Sequence, residues 1–274
     1  MKPLAAWPAP ASVGLRGVFT DIDDTLTTEG AITPDALQAL GDLRAAGLAV
    51  VAITGRSVGW SLPFAAQWPV DAIVAENGAV ALLRRPDGSV DKRYQQDAAT
   101  RAAHFARMQE VLALVEHSIP GARRAGDSAG RETDIAIDHS EFVELGQAQI
   151  DAVVQAMRDA GLHATVSSIH VNAWFGEHDK LQGARWIVRE LWQRDLDAEV
   201  GRWAYVGDST NDARMFEAFE HSVGVANIAR FVPRLAHLPR FVAQHERGAG
   251  FAEFARLLLA QRGPQDRGSA SPLR

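Results

Sequence analysis

Over the first eighty residues, mostly apolar runs alternate with segments whose apolar residues recur at helical spacing. Residues 17–20, 48–53 and 72–75 are three such runs, and the stretch 33–47 between the first two carries leucines at helical spacing. A strand that is apolar on both faces is typical of a parallel sheet covered by helices. The pattern therefore predicts a Rossmann-like α/β sheet for this part of the chain.

The pattern changes between residues 80 and 175. A Pro86-Asp87-Gly88 turn joins two predicted strands, which favours a hairpin over a helical crossover. Beyond the turn, the periodicity predicts helices over residues 100–117 and 145–160 and strands over residues 133–138, 163–167 and 169–175. The first of these strands alternates as an edge or half-exposed strand does. Two helices against several strands predict an α+β layer that is inserted into the first domain.

The α/β pattern returns at Lys180, where a further helix begins. The elements that follow are a strand over residues 203–206, a helix over residues 212–219, a strand over residues 222–225 and a last helix over residues 251–261. Because only the middle of the chain departs from the α/β pattern, we expect a core domain of residues 12–83 and 180–262 and an inserted second domain of residues 84–179. Residues 263–274 are polar and contain Pro, Gly and Ser, which predicts a disordered tail.

Polar segments follow four of the predicted strands at the point where each strand ends. They are the segments 21–25, 54–56, 76–79 and 207–212. In open α/β sheets, ligands bind outside the carboxyl ends of the strands. We therefore expect one functional site where these four segments meet.

Hard oxygen ligands dominate these segments. Carboxylates that lie close together repel one another unless a cation or a proton lies between them, and oxygen ligands suit Mg²⁺. The predicted metal ligands are Asp21, Asp23, Asp208 and Asp212. Thr54 and the amide of Gly55 offer hydrogen bonds to a phosphate, and Lys180 offers a fixed positive charge. Together these groups predict phosphoryl transfer.

Each segment has a plainer interpretation when it is taken alone. Acidic residues are common in turns, a lysine often begins a surface helix, and Asp212 also suits a helix N-cap. The complementary chemistry of the four segments favours a catalytic site. In such a site Asp21 would attack phosphorus, and Asp23 would give a proton to the leaving group and later take one from water.

The four segments resemble, in order and in sequence, the motifs of the haloacid dehalogenase superfamily. The matching stretches are Asp21-Ile22-Asp23-Asp24-Thr25-Leu26, Thr54-Gly55-Arg56, Lys180 and Gly207-Asp208-Ser209-Thr210-Asn211-Asp212. The insert lies between the second and third motifs, which in that superfamily implies a C2-type cap. The segment 76–79 resembles that of the Cof and sucrose-phosphatase-like branch, subclass IIB.

The resemblance implies a role for each motif residue. Asp21 would be the nucleophile and Asp23 the acid/base, with Mg²⁺ held by Asp21, the Asp23 carbonyl and Asp208 and supported by Asp212. The phosphate contacts would come from Thr54, Gly55, Arg56, Asn77, Lys180 and Asn211. Thr54 and Lys180 would thereby act in catalysis as well as in binding. One departure is visible, because Asp24 stands where many relatives carry glycine, and it adds negative charge near the metal.

The composition of the chain limits the classes of partner and of chemistry that are expected. A formal net charge of −6 argues against a nucleic acid or an anionic membrane, since either favours a basic face. The absence of cysteine excludes thiolate catalysis and disulfides. Because no apolar run approaches the length of a membrane span or a signal peptide, we expect a cytoplasmic protein, monomeric or homodimeric, with a small-molecule phosphate ester as its partner.

The leading hypothesis is a Mg²⁺-dependent phosphatase that acts on a small phosphorylated metabolite, and we expect a sugar phosphate. A sugar phosphomutase of the same superfamily is the enzymatic alternative, because it would use the same nucleophile but keep the phosphoryl group. The third hypothesis is a sugar-phosphate-binding protein without catalytic activity. The joint presence of Asp21, Asp23, Lys180 and Asp208 favours an enzyme, since a binding protein needs no nucleophile.

Overall fold

The computed structural model of the protein describes residues 1–8 and 14–261. Its strands are β1 (Lys2–Pro3), β2 (Gly17–Thr20), β3 (Thr27–Thr28), β4 (Ala31–Ile32), β5 (Ala49–Ile53), β6 (Ala72–Ala75), β7 (Val80–Arg84), β8 (Val90–Tyr94), β9 (Arg123–Arg124), β10 (Ile135–Asp138), β11 (His163–Val166), β12 (His170–Trp174), β13 (Trp203–Gly207), β14 (His221–Gly224) and β15 (Phe241–Val242). Its α-helices are α1 (Pro34–Ala45), α2 (Val58–Gln67), α3 (Ala98–Ser118), α4 (Gln147–Asp159), α5 (Lys180–Trp192), α6 (Leu196–Glu199), α7 (Ala213–Ala218) and α8 (Arg247–Gln261).

The central sheet has the strand order β1-β15-β14-β13-β2-β5-β6-β7-β8. Its strands from β1 to β6 pair in parallel, and β7 and β8 extend it as an antiparallel hairpin. This arrangement confirms the predicted α/β core with a mainly parallel sheet. β2 lies between β13 and β5, so the polar segments that follow these three strands leave the sheet side by side.

Helices cover both faces of the central sheet. Consecutive residues of β5 belong to opposite apolar clusters: Val50 packs with residues of α1, α2 and α8, and Val51 packs with residues of α5 and α7. A strand of this kind has no face for water, which explains the unbroken apolar run in its sequence. None of the helices in the described ranges is both long and apolar enough to cross a bilayer.

A second, antiparallel sheet has the order β11-β12-β10-β9. Helices α3 and α4 cover one of its faces, and their apolar residues form a separate core with Ile135 and Ile137 of β10. The expectation that this strand is an edge or half-exposed strand is wrong. β10 lies between β12 and β9, and all four of its residues are buried. The polar residues of the predicted strand have protein partners instead of water: Thr133 donates to Glu76, and Asp138 accepts from amides of the turn after β10.

The two sheets divide at a different residue from the predicted limit of the cap. β8 falls within the predicted insert 84–179, yet it pairs with β7 in the central sheet. Elements of the second layer begin with α3, after Gln95 and Gln96. The turn at 86–88 predicts a hairpin but carries no information about which sheet the hairpin joins. The predicted tail, 263–274, lies outside the described residues.

Candidate active site

The backbone at Asp21 is fixed by the strand that pairs with β2. Its amide donates to the carbonyl of Val206, at 2.9 Å, and its side chain is only 4% exposed. Asp21 therefore leaves the middle of the sheet flanked by the segments that follow β5 and β13. The segments after β2, β5 and β13 thus lie side by side at one edge of the sheet.

Lys180 joins two of the carboxylates. Its Nζ lies 2.6 Å from Oδ1 of Asp21 and 2.6 Å from Oδ1 of Asp212, and the lysine is 2% exposed. Burial opposes the charge of the ammonium, but the two carboxylates prevail and raise the pKa of Lys180 above its usual value. The lysine therefore carries a permanent charge at the strand ends.

A glycine contact places the start of α5 against the segment 76–79. Gly78 has a φ of +107°, and a Cβ at this position would lie 2.2 Å from the carbonyl oxygen of Asp179. A side chain here would therefore push away the helix that begins with Lys180. The carboxylate of Asp179 caps that helix by accepting from the amide of Gln182, at 2.8 Å.

Asp212 orients the lysine and the loop before it. Its Oδ1 accepts from the hydroxyl of Tyr205, at 2.5 Å, as well as from Lys180. Its Oδ2 accepts from the amides of Asp208 and Ser209, at 2.9 and 3.1 Å. Both oxygens of Asp212 are thus already engaged by protein donors.

Asp208 has one carboxylate oxygen to which none of the described residues donates a hydrogen bond. Its Oδ2 accepts from Nδ2 of Asn227, at 3.0 Å, but its buried Oδ1 has no hydrogen-bond partner among the described residues. Burial and the nearby carboxylates of Asp21 and Asp212 raise the pKa of Asp208 well above its usual value. Oxygens of these three carboxylates lie within 4.8 Å of one another. An all-oxygen cluster with an unengaged, buried ligand atom fits a hard divalent cation.

The carboxylate of Asp21 stands under opposing influences. Burial raises its pKa, Lys180 lowers it, and Asp212 and Asp23 raise it, with a net pKa of about 7. A cation bound beside it would favour its charged form further. Asp21 therefore has the surroundings of a carboxylate that is shared between a lysine and a metal.

The carboxylate of Asp23 pairs with Arg56. The Nε of Arg56 donates to both of its oxygens, at 2.9 and 3.0 Å. A second nitrogen of the same guanidinium lies 2.8 Å from Asp23 and 2.8 Å from Glu141. Arg56, the predicted phosphate ligand, therefore forms an ion pair with Asp23, the predicted acid/base.

The segment after β5 keeps hydrogen-bonding groups for a ligand. Oγ1 of Thr54 accepts from the amide of Arg56, at 3.0 Å, which leaves its hydroxyl proton to donate. The carbonyl of Gly55 accepts from Arg131 and from Asn172, at 3.0 and 3.1 Å. Its peptide is therefore held from the side of the second sheet.

Asn77 and Asn211 complete the predicted set. Asn77 adopts left-handed backbone geometry, with a φ of 55°, and its Nδ2 donates to Asp134 at 3.2 Å. The side chain of Asn211 accepts from the hydroxyl of Ser209, at 2.9 Å, in the loop that carries Asp208. Both lie at the strand ends, Asn77 on the side of the second sheet.

Comparison with known proteins shows which proteins the chain resembles. Residues 18–117 match the family model described as haloacid dehalogenase-like hydrolase. The chain is similar to this superfamily over those residues. It is 27% identical over 252 residues to a phosphoglycolate phosphatase of Pyrobaculum neutrophilum, a match that covers 90% of this chain and 97% of the relative. It is 26% identical over 212 residues to a phosphoglycolate phosphatase of Haloarcula marismortui, over 77% of this chain and 84% of that protein. The chain is a phosphatase.

Solved structures share the fold over nearly the whole chain. A Thermoplasma acidophilum protein superposes with a TM-score of 0.66 at 18% identity and covers 90% of this phosphatase and 98% of its own chain. The sucrose-phosphatase of Synechocystis, solved with sucrose and phosphate, gives a TM-score of 0.62 at 16% identity over 89% and 98% of the two chains. The match extends through the inserted layer, so the phosphatase has a capped haloacid dehalogenase fold.

Residues of the cap that the motifs do not mark contribute to the site of the phosphatase. Arg131 is fully buried, and its guanidinium lies 2.6 Å from Asp134 and 2.9 Å from Asp127. Burial raises the pKa of Asp134 to about 8, against the opposing charge of Arg131. The sequence around Arg131 looks like a polar loop, and only the spacing of its acidic partners at 127 and 134 hints at a buried cluster.

A second feature that the sequence motifs do not mark anchors the segment after β6. The buried carboxylate of Glu76 accepts from the amide of Val58 at 2.9 Å, from the amide of Glu132 at 3.0 Å and from the hydroxyl of Thr133 at 2.6 Å. Glu76 itself has a φ of 49°, so the surrounding contacts hold it in a strained conformation. The cap segment 131–134 is thereby tied directly to the core.

A cavity of about 580 Å³ lies between the core and the cap of the phosphatase. From the core it is lined by Asp23, Asp24, Thr27, Glu29, Gly30, Ala31, Arg56, Arg230 and Arg247, and from the cap by Ser140, Glu141, Phe142, Ser168 and Ile169. Each of its three arginines is paired: Arg56 with Asp23 and Glu141, and Arg230 and Arg247 with Asp24. The cavity therefore offers little free positive charge.

Proposed function

We propose that this phosphatase is Mg²⁺-dependent and hydrolyses a small sugar phosphate through an aspartyl-phosphate intermediate. The observation that carries the proposal is the buried group of Asp21, Lys180 and Asp208, in which a nucleophile, a fixed cation and an unengaged metal-ligand oxygen lie together. A binding protein needs no such nucleophile, and a phosphate monoester brings the charge that these groups would neutralise.

The proposed chemistry has two steps. In the first, an oxygen of Asp21 bonds to phosphorus while the bond to the ester oxygen breaks, and Asp23 gives a proton to the departing alkoxide. In the second, water attacks the same phosphorus, Asp23 takes its proton, and the bond to Asp21 breaks to release phosphate. Lys180 stabilises the negative charge that develops on the transferring group.

The residues fit a magnesium ion. Asp21, Asp208 and the carbonyl of Asp23 would hold it, and Asp212 would orient the loop and Lys180. When bound, it would neutralise the phosphate and polarise the phosphorus–oxygen bond. The hydroxyl of Thr54, the amide of Gly55 and the side chain of Asn211 would add hydrogen bonds to the phosphate. Arg56 and Asn77 already contact Asp23 and Asp134, and we infer that they shape the same pocket.

The lining of the cavity favours a polyol leaving group. A substrate carboxylate is normally held by a free arginine or lysine, but the arginines of the cavity are already paired with carboxylates. Glu141 would also repel a second anion. The hydroxyls of a sugar can instead donate to Glu141. A volume of about 580 Å³ also accommodates a ring-sized group.

Phosphoglycolate is the second candidate substrate, because it is the substrate named for both curated relatives. The test is phosphate release from a panel that contains hexose 1- and 6-phosphates and 2-phosphoglycolate, with and without Mg²⁺. The highest kcat/KM on a hexose phosphate would support our proposal. The highest kcat/KM on 2-phosphoglycolate would contradict it, and an isomeric hexose phosphate without free phosphate would reveal a mutase.

We also propose a domain division that follows the sheets. The core would comprise residues 1–8, 14–94 and 180–261, and the cap residues 95–179. An absence of cysteine and a net charge of −6 are consistent with a cytoplasmic monomer or homodimer.

A further inference from the structure

Arg56 connects the core of the phosphatase to its cap. Its guanidinium is 4% exposed, makes three contacts with Asp23 and lies 2.8 Å from Oε1 of Glu141. It also lies over the ring of Trp60, 4.7 Å from the ring centroid. A planar guanidinium donates in fixed directions, so partners on opposite sides define its orientation.

Glu141 is itself firmly held by the cap. The carboxylate of Asp138 accepts from the amides of Ser140, Glu141 and Phe142, at 3.1, 2.8 and 2.9 Å, and so fixes the turn after β10. The second oxygen of Glu141 lies 2.9 Å from Nε2 of His170, which is 1% exposed on β12. The Glu141 carboxylate is therefore a fixed acceptor and not a mobile surface group.

These contacts form a chain from the cap to the acid/base, in the order His170, Glu141, Arg56, Asp23. We propose that Glu141 is a positioning residue, which fixes the Arg56 guanidinium and thereby aims the Asp23 carboxylate at the leaving oxygen of the substrate. This inference rests on the proposed phosphatase mechanism. Docking of the cap then completes the positioning of the general acid Asp23, because the cap supplies the partner that holds Arg56 in place.

The test compares two esters that differ in their need for a proton donor. β-Glycerophosphate releases an alkoxide, which must be protonated as it leaves, whereas p-nitrophenyl phosphate releases a stable phenolate. E141A should lower kcat/KM for β-glycerophosphate on the order of 10²-fold, since a small misplacement of a reacting group has this effect. The fall for p-nitrophenyl phosphate should be at least several times smaller. E141Q should recover part of the loss, because its amide oxygen can still accept from Arg56.

Two controls separate positioning from structure. Glu132→Gln removes another carboxylate of the cap that contacts the core, through Lys92 and Tyr94. It should leave kcat/KM unchanged for both esters. In an R56A background, the E141A substitution should have no further effect, because Glu141 acts through Arg56. Where E141A lacks a cooperative thermal transition, E141Q alone is compared with the wild type.

The outcomes distinguish the inference from the function on which it rests. Equal losses for the two esters, an unchanged kcat/KM in E141A, or losses that add in the double variant would each overturn the positioning role. A wild-type protein that releases phosphate from neither ester would instead contradict the proposed function.

Discussion

The ammonium of Lys180 lies 2.6 Å from the carboxylate of Asp21, although 159 positions separate the two residues in the chain. The same nitrogen also touches Asp212, and all three groups are buried. One lysine thus compensates two carboxylates at the point where the chemistry would occur. Catalysis and stability are therefore coupled at this site.

Replacing the nucleophile should abolish turnover. Asp21→Asn keeps the size of the side chain but removes the attacking oxygen, so kcat should fall by at least about 10⁴, as in other enzymes that lose a nucleophile. Phosphate release measured on the best ester of the panel checks this, with exposed Asp35→Asn on α1 as the control. Activity of the Asp21 variant near the wild-type rate would refute its assignment.

Lys180→Ala should lower both activity and stability. Loss of one electrostatic contact to the transferring group costs on the order of 10² to 10³ in kcat. The variant also leaves two buried carboxylates without their counter-charge, which costs about 3–5 kcal/mol in the free energy of unfolding. Steady-state kinetics and urea unfolding measure the two effects. Lys92→Ala, at a half-exposed pair with Glu132, should change neither by much, and an unchanged stability of the Lys180 variant would contradict the buried ion pairs.

Asp208→Asn should weaken metal binding. The unengaged Oδ1 of Asp208 is the ligand atom that we assign to Mg²⁺, and an amide oxygen is a poorer ligand than a carboxylate. The increase of thermal stability with Mg²⁺ concentration gives an affinity that does not depend on turnover. We expect the midpoint to rise at least about 10-fold in this variant and to stay unchanged in Asp42→Asn, on the outer surface of α1. Equal midpoints in all three proteins would remove Asp208 from the metal site.

His178 should make the fold sensitive to acid. Burial, together with the nearby His163 and His104, lowers the pKa of His178 to about 4. Because the unfolded chain binds the proton more readily than the folded one, stability is complete above the ordinary pKa of about 6.5 and is lost as the pH falls towards 4. From pH 7 to pH 5 this group alone should cost about 2 kcal/mol.

Urea unfolding at the two pH values tests this sensitivity. His178→Gln should lose about 2 kcal/mol less than the wild type between pH 7 and pH 5, because glutamine takes up no proton. His237→Gln removes a half-exposed histidine and should follow the wild type. Parallel losses in all three proteins would show that His178 does not carry the effect.

The sequence by itself determined the α/β core and the place of its site. Strands such as β5 bury both faces, so their apolar runs are unbroken, and parallel strands necessarily bring their carboxyl ends to one edge. The residues after β2, β5 and β13 could therefore be assigned to one site before any contact was known. The superfamily motifs add the expected order of roles from Asp21 to Asp212.

Only the tertiary structure decided how the cap meets this site. A turn signal at 86–88 predicts a hairpin, but the sheet that β8 joins depends on which strand edge is free in the folded chain. The contact of Arg56 with Glu141 and the hydrogen bond from Arg131 to the carbonyl of Gly55 likewise join groups from two separate layers. Hydrophobic periodicity reports which face of an element is buried and not which element covers it, so contacts of this kind have no local signal in the sequence.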